Sequence, residues 1–275
     1  VPVATAPTAP VAQPVVAPNA FASIDPTIAM PRYVSLASRA AVTITLGGPV
    51  GATITYTLTD GVRSVGGTVV IGASGSATVT VDATTLADGT LSVNAFYVDI
   101  NGYTAAATAT VTKDTAPPTV SVSLQAPPAT NSGWYDVGTK ISLTFSGSDG
   151  ISATLDGNVI SSGPIDLGTL RAGSHTIVVR GFDAAGNLTT QTISFQVHAT
   201  LAGLLAAVND GYAKGFITAA EQTTLVNLLQ QAIKGNGRVK LPAFTAEVQF
   251  QSGRAIAFGY AALLLNWAAD LQLRL

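Results

Sequence analysis

The chain contains no cysteine and only one methionine among its 275 residues. Disulfide bonds, thiolate catalysis and cysteine metal sites are therefore excluded together. Charge is also scarce, because Asp, Glu, Lys and Arg make up 10% of the residues, against about 25% in average soluble proteins. The formal net charge of -2 leaves no basic excess to attract a phosphate backbone, so we expect no nucleic-acid partner.

Long apolar runs are absent as well. No stretch reaches the ~20 consecutive apolar residues that a membrane-spanning helix needs. The nearest one, residues 255–269, contains Gly259, Tyr260 and Asn266 and is interpreted as a buried helix. We expect a protein that is not transmembrane and that is extracellular or attached to the cell surface, with its signal peptide already removed.

One sequence pattern occurs twice, 84 positions apart. Gly89–Val111 and Gly173–Phe195 each begin with an alternating apolar run, pass through a turn containing Asp, and return with a Thr-rich alternating run. Alternation with period two around a turn predicts two strands and a hairpin. The chain therefore carries one small β-module twice, and duplication of a module without a reactive cluster favours a spacer or building block.

Alternation of this kind continues from about Tyr33 to Lys113, with Gly, Asp and Asn between the runs. Short Thr- and Val-rich strands at this spacing predict a β-sandwich of about seven strands. A second sandwich is predicted from Thr119 to Val197, after a stiff link that contains Pro117 and Pro118.

Several segments of the second sandwich carry a family resemblance. They are Asp114-Thr-Ala-Pro-Pro118, Gly133-Trp-Tyr135, Leu155-Asp-Gly157 and Gly181-Phe-Asp-Ala-Ala-Gly-Asn187. These segments resemble the bacterial immunoglobulin-like modules that are strung along secreted enzymes and surface proteins. The resemblance implies spacing, display or adhesion, with no single ligand attached.

The period changes after His198. Large apolar residues then recur three and four positions apart, which places them on one face of a helix. Thr218-Ala-Ala-Glu221 has the pattern of a capping box and predicts the start of a second helix. A third helix is expected from near Leu241 to Ser252, and an apolar fourth helix from Arg254 to Leu273.

The helical part also resembles a known family. The residues that carry this resemblance are Gly215-Phe-Ile217, Leu225, Leu229, Ala243-Phe244, Val248, Gln251-Ser-Gly253 and Ile256. Their spacing resembles the FIMAH-type helical module, which is found at the C-terminus of many bacterial secreted hydrolases and surface proteins.

The predicted fold class is therefore mainly β with a C-terminal all-α part, made of two immunoglobulin-like β-sandwiches in tandem and a small helical bundle of about four helices. The predicted domains are an extended Pro/Ala-rich arm (1–30), the two sandwiches (31–114 and 115–199) and the helical module (200–275). The arm carries five prolines before residue 20, which exclude a helix or a central strand.

Catalytic patterns are weak. His175 and His198 have no serine and acidic partner at a recognisable spacing, and most acidic residues stand beside Gly or Asn in turns. We therefore predict no enzyme and no cofactor. Calcium, which prefers oxygen ligands, is the alternative to ordinary Asx turns for one set of residues. That set is Asp99, Asn101, Asp114, Asp183 and Asn187.

An aromatic pair, Trp134-Tyr135, has two interpretations. It either closes one end of the sandwich by packing or offers a stacking surface to a glycan. Packing is the more common use of such a pair.

The sequence favours a non-enzymatic, exported structural protein that forms a bacterial surface filament, sheath or lattice as a homo-oligomer or polymer. In this hypothesis the N-terminal arm links neighbouring subunits. The predicted interface residues are Val11, Val15, Val16, Phe21, Ile24 and Trp267. The alternative is a carbohydrate-binding or adhesive spacer region of a secreted hydrolase or adhesin.

Overall fold

The computed structural model describes residues 25–98, 102, 104–125, 134–147 and 149–275. These residues form two compact units, one ending at Thr115 and the other running from Ala116 to Leu275.

The first unit is a β-sandwich of eight strands. The strands are β1 Thr27–Ala29, β2 Tyr33–Val34, β3 Val42–Gly47, β4 Thr53–Thr59, β5 Ser64–Val70, β6 Ser76–Val81, β7 Gly89–Val98 and β8 Thr104–Lys113. One sheet has the order β1-β3-β6 and the other the order β2-β8-β7-β4-β5.

The second unit begins with another eight-stranded sandwich. Its strands are β9 Ser121–Gln125, β10 Trp134–Asp136, β11 Lys140–Ser146, β12 Gly150–Leu155, β13 Asn158–Ile160, β14 Gly163–Asp166, β15 Gly173–Phe182 and β16 Leu188–His198. Its sheets have the orders β14-β11-β9 and β10-β16-β15-β12-β13.

The two sandwiches have the same topology. When β9–β16 are matched in order to β1–β8, both sheets have the same neighbours, including a short strand that lies parallel to the last one. The predicted immunoglobulin-like duplication is confirmed. The structure has eight strands rather than about seven because the first strand is split, so that β1 pairs with β3 while β2 pairs with β8 in the opposite sheet.

Period-two alternation explains why these sequences form a sandwich. In β7, Leu91, Val93, Ala95 and Tyr97 are buried, whereas Asn94 between them is exposed. Successive side chains of a strand point to opposite faces. One face of β7 therefore joins the hydrophobic core of the first unit.

Four α-helices follow the second sandwich. They are α1 Leu201–Ala213, α2 Ala219–Gln231, α3 Gly237–Gln251 and α4 Phe258–Gln272, with a π-helical turn at Ala232–Asn236. Gly235 breaks the helical path at this turn with a φ of 110°, which is a conformation that favours glycine. None of the helices in the described ranges is long and apolar enough to span a bilayer.

Two predicted helix boundaries are wrong. Helix α3 begins at Gly237 instead of Leu241, so Pro242 lies inside the helix. Helix α4 begins at Phe258 instead of Arg254, because Ile256 forms isolated β-bridges with Ile217 and Ser252. Local bridging of two loops by backbone hydrogen bonds is a tertiary effect that sequence period alone does not reveal.

The second sandwich and the helices share one hydrophobic core. Val137, Val197 and Leu167 of the sandwich belong to the same buried cluster as Leu204 and Trp267 of the helices. The helices are therefore packed on the sandwich as part of one unit.

A buried cation stabilises the end of the first sandwich. Lys113 is 4% exposed, and its Nζ donates to Asp88 Oδ1 at 2.7 Å and to Leu86 O at 2.8 Å. Asp88 also accepts hydrogen bonds from the backbone and the hydroxyl of Thr115. This carboxylate therefore neutralises Lys113 and fixes the chain where the first unit ends.

We expect Asp88→Ala to lower the free energy of unfolding of the first unit by about 2 kcal/mol, because it leaves the Lys113 ammonium buried without a counterion. The cost is below that of a fully buried pair because Asp88 is 40% exposed. Lys113→Met keeps an apolar side chain of similar length and is expected to cost less than about 1 kcal/mol. Urea denaturation of the two single variants and the double variant checks this. Equal costs for the two single variants, or strict additivity, would contradict it.

Candidate functional site

Both histidines of the chain lie in the second unit and contact a carboxylate. His175 is buried, with Nδ1 at 2.5 Å from Asp156 Oδ2 and Nε2 at 2.7 Å from the carbonyl oxygen of Arg171. Asp156 also accepts a hydrogen bond from the backbone of Thr176. Because both nitrogens of His175 are occupied by local partners, this ring holds the loop before β15 against the turn that follows β12.

The second histidine joins the sandwich to the helices. His198 Nδ1 lies 3.2 Å from Asp270 Oδ1, and the backbone N–H of Ala199 donates to Asp270 Oδ2 at 2.8 Å. Arg274 Nη2 also donates to this carboxylate at 2.6 Å. Burial raises the pKa of Asp270, but the hydrogen bonds from Ala199 and Arg274 outweigh it and hold that pKa below its ordinary value. Asp270 is therefore ionised, and its hydrogen bonds connect α4 to the end of β16.

The start of α1 is fixed in the same region. The hydroxyl of Thr200 accepts a hydrogen bond from the backbone N–H of Gly203 at 2.9 Å and donates to Asp136 Oδ2. Thr200 is therefore the N-cap of α1. The polar contacts of His198, Asp270 and Thr200 form a structural junction, which we call the sandwich–helix junction.

The aromatic pair lies beside this junction. The ring of Trp134 is 5.2 Å from that of His198, measured between centroids, and the guanidinium carbon of Arg274 lies 5.8 Å from the Trp134 ring centroid. The Tyr135 ring is 6.0 Å from that of Phe195. Both aromatic residues are half-buried and have aromatic neighbours of their own chain. A glycan contact at Trp134 and Tyr135 stays a prediction.

Trp267 lies inside the second unit rather than on a surface that a neighbouring subunit could contact. Its side chain is fully buried, and Nε1 donates to the carbonyl oxygen of Leu170 at 2.8 Å. The apolar face of α4 therefore covers the chain's own sandwich. The other predicted interface residues lie outside the described residues. They are Val11, Val15, Val16, Phe21 and Ile24.

The calcium candidates are distributed over both units. Asp99 and Asn101 lie outside the described residues, whereas Asp114 lies at the end of the first unit, where its backbone N–H donates to Val34 O at 2.9 Å. Asp183 and Asn187 belong to the second unit.

Asp183 and Asn187 close the hairpin between β15 and β16. One carboxylate oxygen of Asp183 accepts the backbone N–H of Asn187, and the other accepts its side-chain amide, both at 2.9 Å. This is an Asx-type turn. The part of the chain that the structure describes holds no group of three or more His, Asp or Glu suited to a metal. The calcium assignment stays a prediction.

A pair of glutamates in the helical part was missed by sequence reasoning. Thr218 is the N-cap of α2 as predicted, but its side chain makes no capping bond, so the predicted capping box is wrong. Instead, Glu221 is 5% exposed, and its Oε1 has no hydrogen-bond partner among the described residues. Burial, followed by the neighbouring carboxylate of Glu247, raises the pKa of Glu221 to about 7.

Comparisons with known proteins give structural likeness only. The chain matches no protein-family model, and no curated protein is significantly similar to it. A Ca2+-stabilised ice-binding adhesin of an Antarctic bacterium is 20% identical, with a TM-score of 0.41 over 65% of this chain and 50% of that one. The chain thus spans half the length of that adhesin structure.

Two further solved structures are similar at the same level. The fibronectin(III)-like modules of Clostridium thermocellum CbhA are 19% identical, with a TM-score of 0.34 over 63% of this chain and 94% of that one. A structure from a 1.5-MDa bacterial ice-binding adhesin is 15% identical, with a TM-score of 0.37 over 65% of this chain and 67% of that one. The assignment of the immunoglobulin-like fold rests on the strand order of the two sandwiches themselves.

We expect the free energy of unfolding of the second unit to fall as the pH rises from 4.5 to about 7. The pKa of Glu221 is higher in the folded chain than in the unfolded one, so the folded state holds this proton more tightly. The associated stability is present below pH 4.5 and is lost as the pH passes about 7. Glu221→Gln, which is neutral at every pH, is therefore expected to be more stable than the wild type by about 2 kcal/mol at pH 8 and not at pH 5.

Thermal unfolding followed by circular dichroism at both pH values measures this difference. Glu247→Gln is the matched control, because it removes only the neighbouring charge, and its effect should be smaller since burial is the main cause. A Glu221→Gln variant with the same pH profile as the wild type would refute the assignment.

Proposed function

We propose that this chain is a non-enzymatic, exported structural protein of a bacterial cell surface, a subunit of a filament, sheath or lattice. In this proposal the N-terminal arm links neighbouring subunits. The observation that carries it is the construction of the same eight-stranded sandwich twice in one chain. Repetition of a whole module extends a protein surface, whereas catalysis requires a specific cluster of side chains in one place.

The polar side chains of the second unit support a structural role. His175 is held between Asp156 and Arg171, and His198 contacts Asp270. Within the described ranges, neither imidazole has a hydrogen bond to a serine or threonine hydroxyl. These contacts tie loops and helices to the sandwich.

The sandwich–helix junction supports the same role. Asp270 receives hydrogen bonds from both Ala199 and Arg274, and the sandwich and the helices share one apolar core. A helical part that is fixed in this way moves with its sandwich, as a load-bearing building block requires. The FIMAH-type module that the helical sequence resembles is one of exported proteins, but the chain matches no family model, so this resemblance stays a prediction.

The composition favours association between copies. Because charged residues are 10% of the chain and the net charge is -2, electrostatic repulsion between copies is weak. The arm before Asp25 contains no charged residue at all.

The proposal predicts that the full chain forms particles larger than a monomer and that removal of residues 1–24 abolishes them. This truncation leaves β1, Thr27–Ala29, in the sandwich, so the fold is expected to remain. Sedimentation velocity and electron microscopy of the two proteins measure the difference.

Circular dichroism of both proteins provides the control for folding. A full chain that is monomeric over the accessible concentration range would contradict the proposal. In that case a glycan array with wild-type protein and Trp134→Ala tests the alternative, an adhesive spacer region of a secreted hydrolase or adhesin.

A further inference from the structure

Strand β5 of the first sandwich lies at the edge of its sheet, as β6 does in the other sheet. Strand β5 is the last strand in the order β2-β8-β7-β4-β5, and it pairs with β4 along its whole length, from Ser64 to Val70. Its sequence, SVGGTVV, contains no charged residue and no proline. Proteins usually protect a long strand edge with charge, proline, shortness or cover. In the described part of this unit, β5 has none of the first three.

The equivalent strand of the second sandwich is protected. Strand β13 has the same place in its sheet, but it is only three residues long, Asn158–Ile160. It follows a tight turn in which Asp156 has a φ of 49° and Gly157 a φ of 84°. At this position of the fold, the first sandwich therefore has a long edge strand and the second a short one.

The middle of β5 carries no side chain that would cover its edge. Gly66 and Gly67 lie side by side there, and both are exposed. Gly66 is required by the pairing with β4, because a Cβ at this position would clash with the Tyr56 carbonyl oxygen of that strand. Val70 is 61% exposed and Val62, in the turn before the strand, is 92% exposed. Apolar side chains are thus available at both ends of the edge.

The N-terminal arm has the sequence of a strand that pairs on one side only. In an extended strand the N–H groups of successive residues point to opposite edges, and proline lacks this group. Between residues 9 and 19 the prolines are Pro10, Pro14 and Pro18, all at even positions. The edge formed by the odd-numbered residues therefore keeps every backbone N–H donor. Its residues are Ala9, Val11, Gln13, Val15, Ala17 and Asn19.

The prolines also favour the extended backbone that a strand requires, because the residue before a proline avoids the helical region. Pro10, Pro14 and Pro18 impose this restriction on Ala9, Gln13 and Ala17. A strand that has backbone N–H donors along one edge alone can pair with the edge of a sheet, but it offers no second edge to a further strand.

We propose that the odd-numbered edge of residues 9–19 pairs with β5 of a second copy of this chain. The pairing extends the five-stranded sheet of that copy by one strand, a form of β-strand addition. Residues 9–19 are eleven in number, which is enough to cover the seven residues of β5. Neither segment carries charge, so no like charges oppose each other. This pairing rests on the proposed function and identifies the contact by which the arm links subunits.

A second copy fits better than the same chain. Strand β1, which follows the arm, lies at one end of the order β1-β3-β6, and β6 lies at the other end, next to β5. Asp25, with which the described part of the chain begins, therefore precedes the strand that lies on the side of the sandwich opposite β5. Only residues 20–24 connect the pairing segment to Asp25, and at about 3.3 Å per residue they span at most about 20 Å, so the short connection favours β5 of a neighbour over the chain's own β5.

Two adjacent substitutions in the arm test the proposal. Val15→Pro removes a donor from the pairing edge and places a ring against β5, so we expect assembly to weaken by about tenfold or more. Val16→Pro makes the same chemical change on the edge that already carries the prolines, and assembly should stay within about twofold of the wild type. Sedimentation velocity over a range of concentrations measures both.

Two substitutions in the sandwiches test the receiving strand. Thr68→Lys places a charge on the exposed face of β5 and should weaken assembly, whereas Val159→Lys places the same charge on β13, where Val159 is 86% exposed, and should not. Because the chain has no cysteine, a Val15→Cys protein mixed with a Thr68→Cys protein should give cross-linked pairs with a short bismaleimide. When a Val159→Cys protein is used in place of the Thr68→Cys protein, no cross-linked pairs should form.

The outcomes separate this proposal from the proposed function. Equal effects of Val15→Pro and Val16→Pro, or normal assembly of Thr68→Lys, would overturn the pairing with β5 while assembly itself persists. Cross-linking only within a single chain that carries both cysteines would also overturn it. A wild-type chain that never assembles overturns both proposals.

Discussion

A β-sheet must leave its two outermost strands with unpaired backbone groups, and this constraint governs the molecule. Each sandwich manages it with the same strand order and with different edges. The second sandwich ends one sheet with the three-residue β13, whereas the first ends the equivalent sheet with the seven-residue, uncharged β5. Because the fold is the same, the difference lies in the sequence of one hairpin and not in the architecture.

The second unit shows how the chain uses its few charged residues. Asp270, Arg274 and His198 connect the last strand to the last helix, and Trp267 fills the core between them. Although charged residues are only 10% of the chain, Asp270 and Arg274 form an ion pair at this junction, so the helices are held by specific contacts as well as by apolar burial.

The sequence predicted the fold in outline because the two periods, two for strands and about 3.6 for helices, follow directly from how side chains point. Thus the strands around Leu91 and the helix around Leu204 could be identified. The split of the first strand could not, because it depends on which sheet β2 joins. Trp267 was predicted on an apolar helix, but the period does not say whether such a face covers its own sandwich or a neighbour.

The glutamate pair shows the same limit at a single site. Thr218 and Glu221 have the spacing of a capping box, and the helix does begin there. Whether the carboxylate turns back to the backbone or is buried beside Glu247 depends on the packing of α3. No pattern in the local sequence indicates such a tertiary contact. The proline spacing of the arm, by contrast, is visible in the sequence. Its relation to β5 emerges only when the strand order of the first sandwich is known.

Amide hydrogen exchange at residues 64–70 measures directly whether β5 gains a backbone partner when the chain assembles. It is compared between the full chain and the chain lacking residues 1–24, at a concentration where the full chain assembles. If the arm pairs with β5, those β5 amides that β4 leaves unpaired exchange more slowly in the full chain, and exchange at residues 158–160 of β13 is unchanged. Identical exchange at β5 in the two proteins, while assembly differs between them, would contradict it.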